Sequence, residues 1–155
     1  MQTSERRLER LPDRRRVSRG GRRVTDQTGK YPNLLVADSY PGARKPCARY
    51  LDLFNFHVEE AASGEEALAR IEAEQPQLIL AELTLPGMGA RELSQWLGER
   101  IASSPIPVIV MMSEFEGRAT EPLSASVAGV LVKPFPLATM IEEVRRVLRS
   151  RAHAS

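Results

Sequence analysis

The 155-residue chain has a single cysteine, Cys47, and two histidines, His57 and His153. One cysteine excludes an internal disulfide framework and a Cys-based zinc cluster. Two histidines so far apart in sequence fit no metal-ligand spacing. The longest apolar run, Ile106 to Met112, has seven residues, against the roughly 20 needed to cross a bilayer as a helix. Glycine-rich phosphate loops are also missing: Gly87-Met88-Gly89 lacks the third glycine and the strand–helix setting of a dinucleotide site. With no Ser/His/Asp set either, an enzyme is the least expected class.

What is present is an ordinary globular composition, 42% hydrophobic and 27% charged, with an uneven distribution of charge. Residues 1–30 hold ten Lys/Arg and four Asp/Glu, a net of +6, whereas residues 31–155 hold twelve and sixteen, a net of −4. The basic segment has four Leu/Val (Leu8, Leu11, Val17, Val24) and no aromatic residue. So little apolar area cannot offset the entropy of ordering, and a disordered tail is expected over 1–30. No apolar stretch follows the arginines, so the segment does not read as an export signal, and a cytoplasmic location is expected. Arg14, Arg15, Arg16, Arg19, Arg22 and Arg23 could contact a polyanion through counterion release. Nucleic acid is nevertheless not an expected partner, since no aromatic interleaving or DNA-binding motif accompanies them.

From Asn33 onward short apolar runs alternate with helical periodicity. LLVAD (34–38), HVEEA (57–61), QLILAEL (77–83), PVIVMM (107–112) and AGVLV (128–132) read as strands. Between them lie a helical pattern over Arg49–Asn55, started late because of Pro46, and a helix opened by the Ser63/Glu66 capping box. A third helix is expected over 90–101, a short one within 113–124, and a last one over 137–149. Strands written as continuous apolar runs are buried on both faces. The expectation is an α/β, three-layer, doubly wound (βα)5 flavodoxin-like fold over 31–150, its five-stranded parallel sheet covered by helices on both faces. A short tail follows at 151–155. In such a sheet the working site lies at the carboxyl ends of the strands, which directs attention to Ala37/Asp38, Glu82, Met112/Ser113 and Lys133.

The stretches LLVADSY, AASGEEALARIE, PQLILAELTLPGMGARELSQWL, IPVIVMM and VLVKPF, in that order and spacing, resemble the CheY-like receiver domain of bacterial two-component response regulators. The resemblance implies phosphoryl transfer from a sensor-kinase histidine to a carboxylate on the third strand. A magnesium ion, a hydroxyl on the fourth strand and a lysine after the fifth would compensate the charge. Carried over to this chain it implies a damaged site, a pseudo-receiver. Ala37 replaces the first acid and Asp38 keeps the second. Glu82 stands at the phosphoacceptor position and Thr84 where a backbone carbonyl meets the metal. Met112 replaces the phosphate-contacting hydroxyl, Val130 replaces the switch aromatic, and Lys133 is retained.

Glu82 carries its carboxylate roughly 1.3–1.5 Å further out than an aspartate would. It is expected to pair with Lys133, by at most about 4 kcal/mol before desolvation. Such a pocket either imitates the phosphorylated state or is inert, and no cofactor is required; magnesium binding, if retained, is expected to be weak. The resemblance further implies action through protein contacts with a sensor kinase or an effector. The contact face would be built from the fourth helix, fifth strand and fifth helix, a face that could also support a homodimer. No output domain is expected after the last helix. Two readings compete: a receiver that still accepts phosphate at Glu82 or Asp38 with magnesium, and nucleic-acid or nucleotide binding by the tail. For nucleotides, Arg14–Arg19 matches an RRxxxR pattern similar to the cyclic di-GMP loop of PilZ domains, without that family's barrel or companion motif. Cys47, Met111, Met112 and Trp96 read as core or helix-edge residues, His57 as a residue without chemistry, and Lys133-Pro134 as a candidate cis peptide.

Overall fold

The computed structural model describes residues 32–100, 106–114 and 127–154. The chain divides into two units, Met1–Pro32 and Asn33–Ser155. The arginines of the first unit lie outside the described residues, as does most of the segment expected to hold a helix at 113–124. The second unit runs β1 (Asn33–Ala37), α1 (Pro41–Leu53), β2 (His57–Ala61), α2 (Gly64–Ala73), β3 (Leu78–Glu82), α3 (Ala90–Arg100), β4 (Val108–Met112), β5 (Val127–Val132) and α4 (Leu137–Ala154).

The five strands form one sheet in the order β2-β1-β3-β4-β5, every pair parallel. Side chains alternate across a strand, and this alternation sorts the core into two layers. Leu35, Ile79, Val108 and Val110 face one way, against Ala67 and Ile71 of α2 and Leu93 and Leu97 of α3. Leu34, Val36, Leu80 and Ile109 face the other way, against Leu51 of α1 and Met140 and Val144 of α4. Helices therefore cover both faces, as a sheet of continuously apolar strands requires. The order reverses between β1 and β3, so the crevice of this doubly wound sheet opens at the carboxyl ends of those two strands.

Local chemistry sets the helix ends. At α2 the Ser63 hydroxyl accepts the Glu66 N–H at 3.2 Å, and the Glu66 carboxylate accepts the Ala62 N–H at 2.8 Å. This is the expected capping box, with its return bond one residue earlier than usual. At the end of α1, Asn55 takes φ 70°. The Phe56 N–H then reaches Leu51 O and the Asn55 N–H reaches Asp52 O, a Schellman closure that buries Phe56 beside Leu51.

Two boundaries differ from the sequence expectation. Helix α1 begins at Pro41, not near Arg49, with Pro46 inside it. Proline at the first helical position costs no hydrogen bond. Pro46 removes only the bond to Gly42 O, and both residues are exposed, so water can satisfy that carbonyl. Helix α4 continues through Ala154, so residues 151–154 are helix rather than tail. No glycine or proline interrupts the stretch from Arg149, and Arg149 and Arg151 suit the negative end of the helix dipole.

Both sheet edges carry polar cover. On β2, Glu59 pairs with Arg70 at 3.2 Å and with His57 at 3.3 Å, and Glu60 pairs with Arg44 at 2.8 Å. Burial works against the Glu60 carboxylate, but hydrogen bonds from Arg44 and Lys45 outweigh it and hold its pKa below the usual range. On β5, where the register shifts between Val108 and Ile109 of its neighbour, Arg146 donates to Ala128 O at 2.8 Å while paired with Glu143 at 2.7 Å.

Leu80 is completely buried in the central strand, whereas Val130 on the edge strand is 41% exposed. Leu80→Ala is expected to cost about 2–5 kcal/mol, and Val130→Ala less than about 1 kcal/mol. Urea denaturation of the two variants measures the difference; equal losses would contradict this layering.

Candidate functional site

The carboxyl ends of the strands deliver three charged side chains to one place. Asp38 follows β1 directly, held in line by its N–H to Ala61 O at 3.0 Å. Glu82 is the last residue of β3. Lys133 follows β5, its N–H bonded to Met112 O at 2.7 Å, and its peptide bond to Pro134 is cis. Lys133 Nζ lies 2.7 Å from Asp38 Oδ2 and 3.7 Å from Glu82 Oε2. The juxtaposition expected from sequence is therefore present, but the partners are ranked differently. Asp38, 1% exposed, makes the short contact, and Glu82 stands at ion-pair distance beyond it.

The burial of Asp38 explains the ranking. A carboxylate taken out of water needs its oxygens satisfied. Oδ2 accepts from Lys133, and Oδ1 accepts the Tyr40 N–H at 2.9 Å. The Asp38 backbone oxygen takes a further bond from Arg44 at 2.8 Å. For Lys133, burial disfavours the charge, but the Asp38 hydrogen bond and the fields of Asp38 and Glu82 outweigh it, so its pKa lies above the ordinary lysine value.

Glu82 finds its hydrogen bonds elsewhere. Oε1 accepts both the N–H of Ser39, at 3.1 Å, and its hydroxyl, at 3.0 Å. Ser39 was not among the residues singled out from sequence. Its signal was position: a hydroxyl residue directly after the strand-end aspartate and just before Pro41, which opens α1.

The remaining positions implied by the resemblance fall outside this cluster. Ala37 is fully buried in the layer under α2 and α3, where it pairs in register with Ala61 and Ala81. Met112 belongs to the same layer and is buried, so it fills core and offers no hydroxyl. Thr84 lies exposed two residues beyond β3. Val130 and Val132 lie on β5, 41% and 44% exposed. Cys47 is buried on the α1 side of the sheet; burial above all, helped by Asp38 and opposed by Lys133, pushes its pKa up to about 11, so the thiol stays protonated and unreactive at neutral pH. Trp96 packs against the α3 side, half-buried.

Among the described residues no three Asp, Glu, His or Cys side chains gather as a metal-holding group. Of the magnesium ligands implied by the resemblance, the Asp38 and Glu82 carboxylates are present at the strand ends and the acid at position 37 is not. Both Asp38 oxygens are engaged, Glu82 Oε1 is engaged by Ser39, and position 37 supplies only a methyl group to the core.

The fold, the crevice and the retained Asp38/Lys133 pair define a class that comparison with known proteins identifies. The family of response regulator receiver domains matches residues 34–145, and the chain belongs to that family of two-component signalling domains. It is 33% identical over 122 residues to the transcriptional activator protein ExaE of Pseudomonas putida, covering 77% of this chain and 56% of that protein. It is 30% identical over 120 residues to the positive alginate biosynthesis regulatory protein of Pseudomonas aeruginosa, covering 76% and 47%. The chain thus spans about half the length of these curated relatives. Among solved structures, the receiver domain of AraT from Geobacillus stearothermophilus superposes with a TM-score of 0.69 at 24% identity, covering 79% of this chain and 97% of that one. A CheY-like receiver domain protein from Methanospirillum hungatei superposes with a TM-score of 0.70 at 21% identity, covering 81% and 100%. These likenesses carry the fold.

Lys133→Met removes the ammonium paired with the buried Asp38 carboxylate and is expected to destabilise the domain by about 3 kcal/mol, read by urea denaturation at neutral pH. Because the folded-state pKa of Lys133 is raised, its contribution is complete below the unfolded value of 10.5 and declines as pH climbs through the folded value. The gap between wild type and Lys133→Met should therefore be constant from pH 6 to 9 and shrink only at more alkaline pH. A gap that closes near neutrality would rule out this ion pair as its source.

Proposed function

We propose that this chain is a pseudo-receiver: a receiver domain that works through contacts with protein partners of a two-component pathway, its strand-end acceptor position filled by a permanently bound glutamate. The observation that carries this reading is the placement of Glu82. Its carboxylate is held by Ser39 on one side and faces Lys133 at 3.7 Å on the other. A carboxylate satisfied in this way is displaced from an aspartate's position and poorly aligned for in-line attack; a shift of about 1 Å can cost on the order of a hundredfold. The methyl group of Ala37, where the resemblance implies a first acid, and the buried Met112, where it implies a hydroxyl, support the same reading.

The partners that suit the reading are a sensor kinase or a downstream effector, met in the cytoplasm. Among the described residues no helix is long and apolar enough to cross a membrane. The contact surface runs along β5, with exposed Val130 and Val132, and onto α4. Apolar residues at a sheet edge, rimmed by the Glu143/Arg146 pair, have the make-up of an interface centre with a polar border. The same face is where a second copy of the chain would dock.

With acetyl phosphate and magnesium, the wild-type chain is expected to gain no hydroxylamine-labile phosphoryl group, the signature of a phosphorylated carboxylate, on intact-mass analysis. The double substitution Ala37→Asp with Glu82→Asp, which restores both missing acids, is expected to gain one. A labile group on wild-type Glu82 or Asp38 would overturn the proposal.

A further inference from the structure

The pocket contains a nucleophile that neither the resemblance nor the family assigns. Ser39 is exposed, and its hydroxyl donates to Glu82 Oε1 at 3.0 Å. That is the separation a general base needs from the proton it removes, about 2.6–3.2 Å. The Ser39 N–H binds the same oxygen at 3.1 Å, so the carboxylate is fixed against the hydroxyl by two bonds from one residue. The other oxygen of that carboxylate faces the Lys133 ammonium, which Asp38 holds in place. A hydroxyl, a carboxylate base and an oriented cation together form a set that phosphoryl transfer to alcohols employs.

We propose that Ser39 is a phosphoryl-acceptor site of this chain, with Glu82 as its general base and Lys133 as the cation that compensates the transferred charge. The proposal rests on the pseudo-receiver reading, in which Glu82 is not itself the acceptor. With an acyl phosphate as donor, Ser39 Oγ attacks phosphorus and an Oγ–P bond forms. The bond from phosphorus to the acyl oxygen breaks, and the carboxylate leaves with the electron pair. The hydroxyl proton passes to Glu82 Oε1 and then to solvent. With a phosphohistidine donor the ring first takes a proton from solvent, and the P–N bond then breaks with its electron pair going to nitrogen, releasing neutral imidazole. The product is a phosphoserine at the mouth of the strand-end crevice. There its dianion meets Lys133 and displaces the Glu82 carboxylate that Ser39 previously held. The exchange would be felt in the loop from Asp38 to Pro41, where Tyr40 stands largely exposed.

The test incubates the full chain with acetyl phosphate, with and without EDTA, beside a receiver of intact acceptor site supplied with magnesium as positive control. Intact mass and fragmentation locate any phosphoryl group. The expected result is a group on Ser39 that is acid-stable, resistant to hydroxylamine and formed equally with EDTA present. It is lost in Ser39→Ala, kept in Ser39→Thr, and slowed about a hundredfold in Glu82→Gln. Circular dichroism checks that each variant is folded. No modification of the wild type while the control is modified overturns the Ser39 proposal and leaves the pseudo-receiver reading standing, as does a resistant group that survives Ser39→Ala. A hydroxylamine-labile group on Glu82 or Asp38 overturns both.

Discussion

The ion pair between Asp38 and Lys133 is the constraint around which the strand-end crevice is organised. The two residues are 95 positions apart in the chain, and they meet only because β1 and β5 both end at the same rim of a parallel sheet. A carboxylate that is 1% exposed is tolerable only with a cation and a backbone donor on it. Everything nearby follows from that demand. Lys133 is pulled toward Asp38 and away from Glu82, the Tyr40 N–H is drawn back to Asp38, and Glu82 turns to Ser39 for its hydrogen bonds. The three charged side chains of the crevice are thus bound to one another and to the loop that follows β1.

The layering was legible because β1, β3 and β4 are written almost wholly in Leu, Ile, Val, Ala and Met. Such runs leave no polar face and force helices onto both sides. The Ser63/Glu66 box was legible because capping needs two residue types at a fixed spacing. Pro46 misled for a local reason: proline argues against a helix interior on average, but this one lies on an exposed face one turn after Pro41, where the freed carbonyl reaches water. The end of α4 was placed too early, at 149, because the apolar stripe stops at Leu148 although no glycine or proline breaks the helix before Ala154.

Within the site, the meeting of Asp38, Glu82 and Lys133 could be read from topology, because strand ends are fixed by strand order. Which carboxylate would win the ammonium could not, since that depends on burial, and burial depends on how the β1–α1 loop folds over Asp38. Ser39 escaped notice for a related reason. A serine after a strand is unremarkable in sequence and acquires meaning only once the Glu82 side chain lies within 3.1 Å of both its donors. Ala37 and Met112, where the resemblance implies an acid and a hydroxyl, belong to the apolar layer beneath the crevice.

The two sheet margins also limit how this domain can be recognised. At one margin charged side chains from α1 and α2 pair across β2. At the other the Arg146 guanidinium occupies a main-chain oxygen of β5 that a visiting strand would require. Each border has one main-chain oxygen taken by an arginine, Glu60 O by Arg70 and Ala128 O by Arg146, which makes both edge strands poorer templates for extension of the sheet by a foreign peptide. The charged groups that guard these margins leave side chains, more than main-chain donors and acceptors, as what the edges present to water.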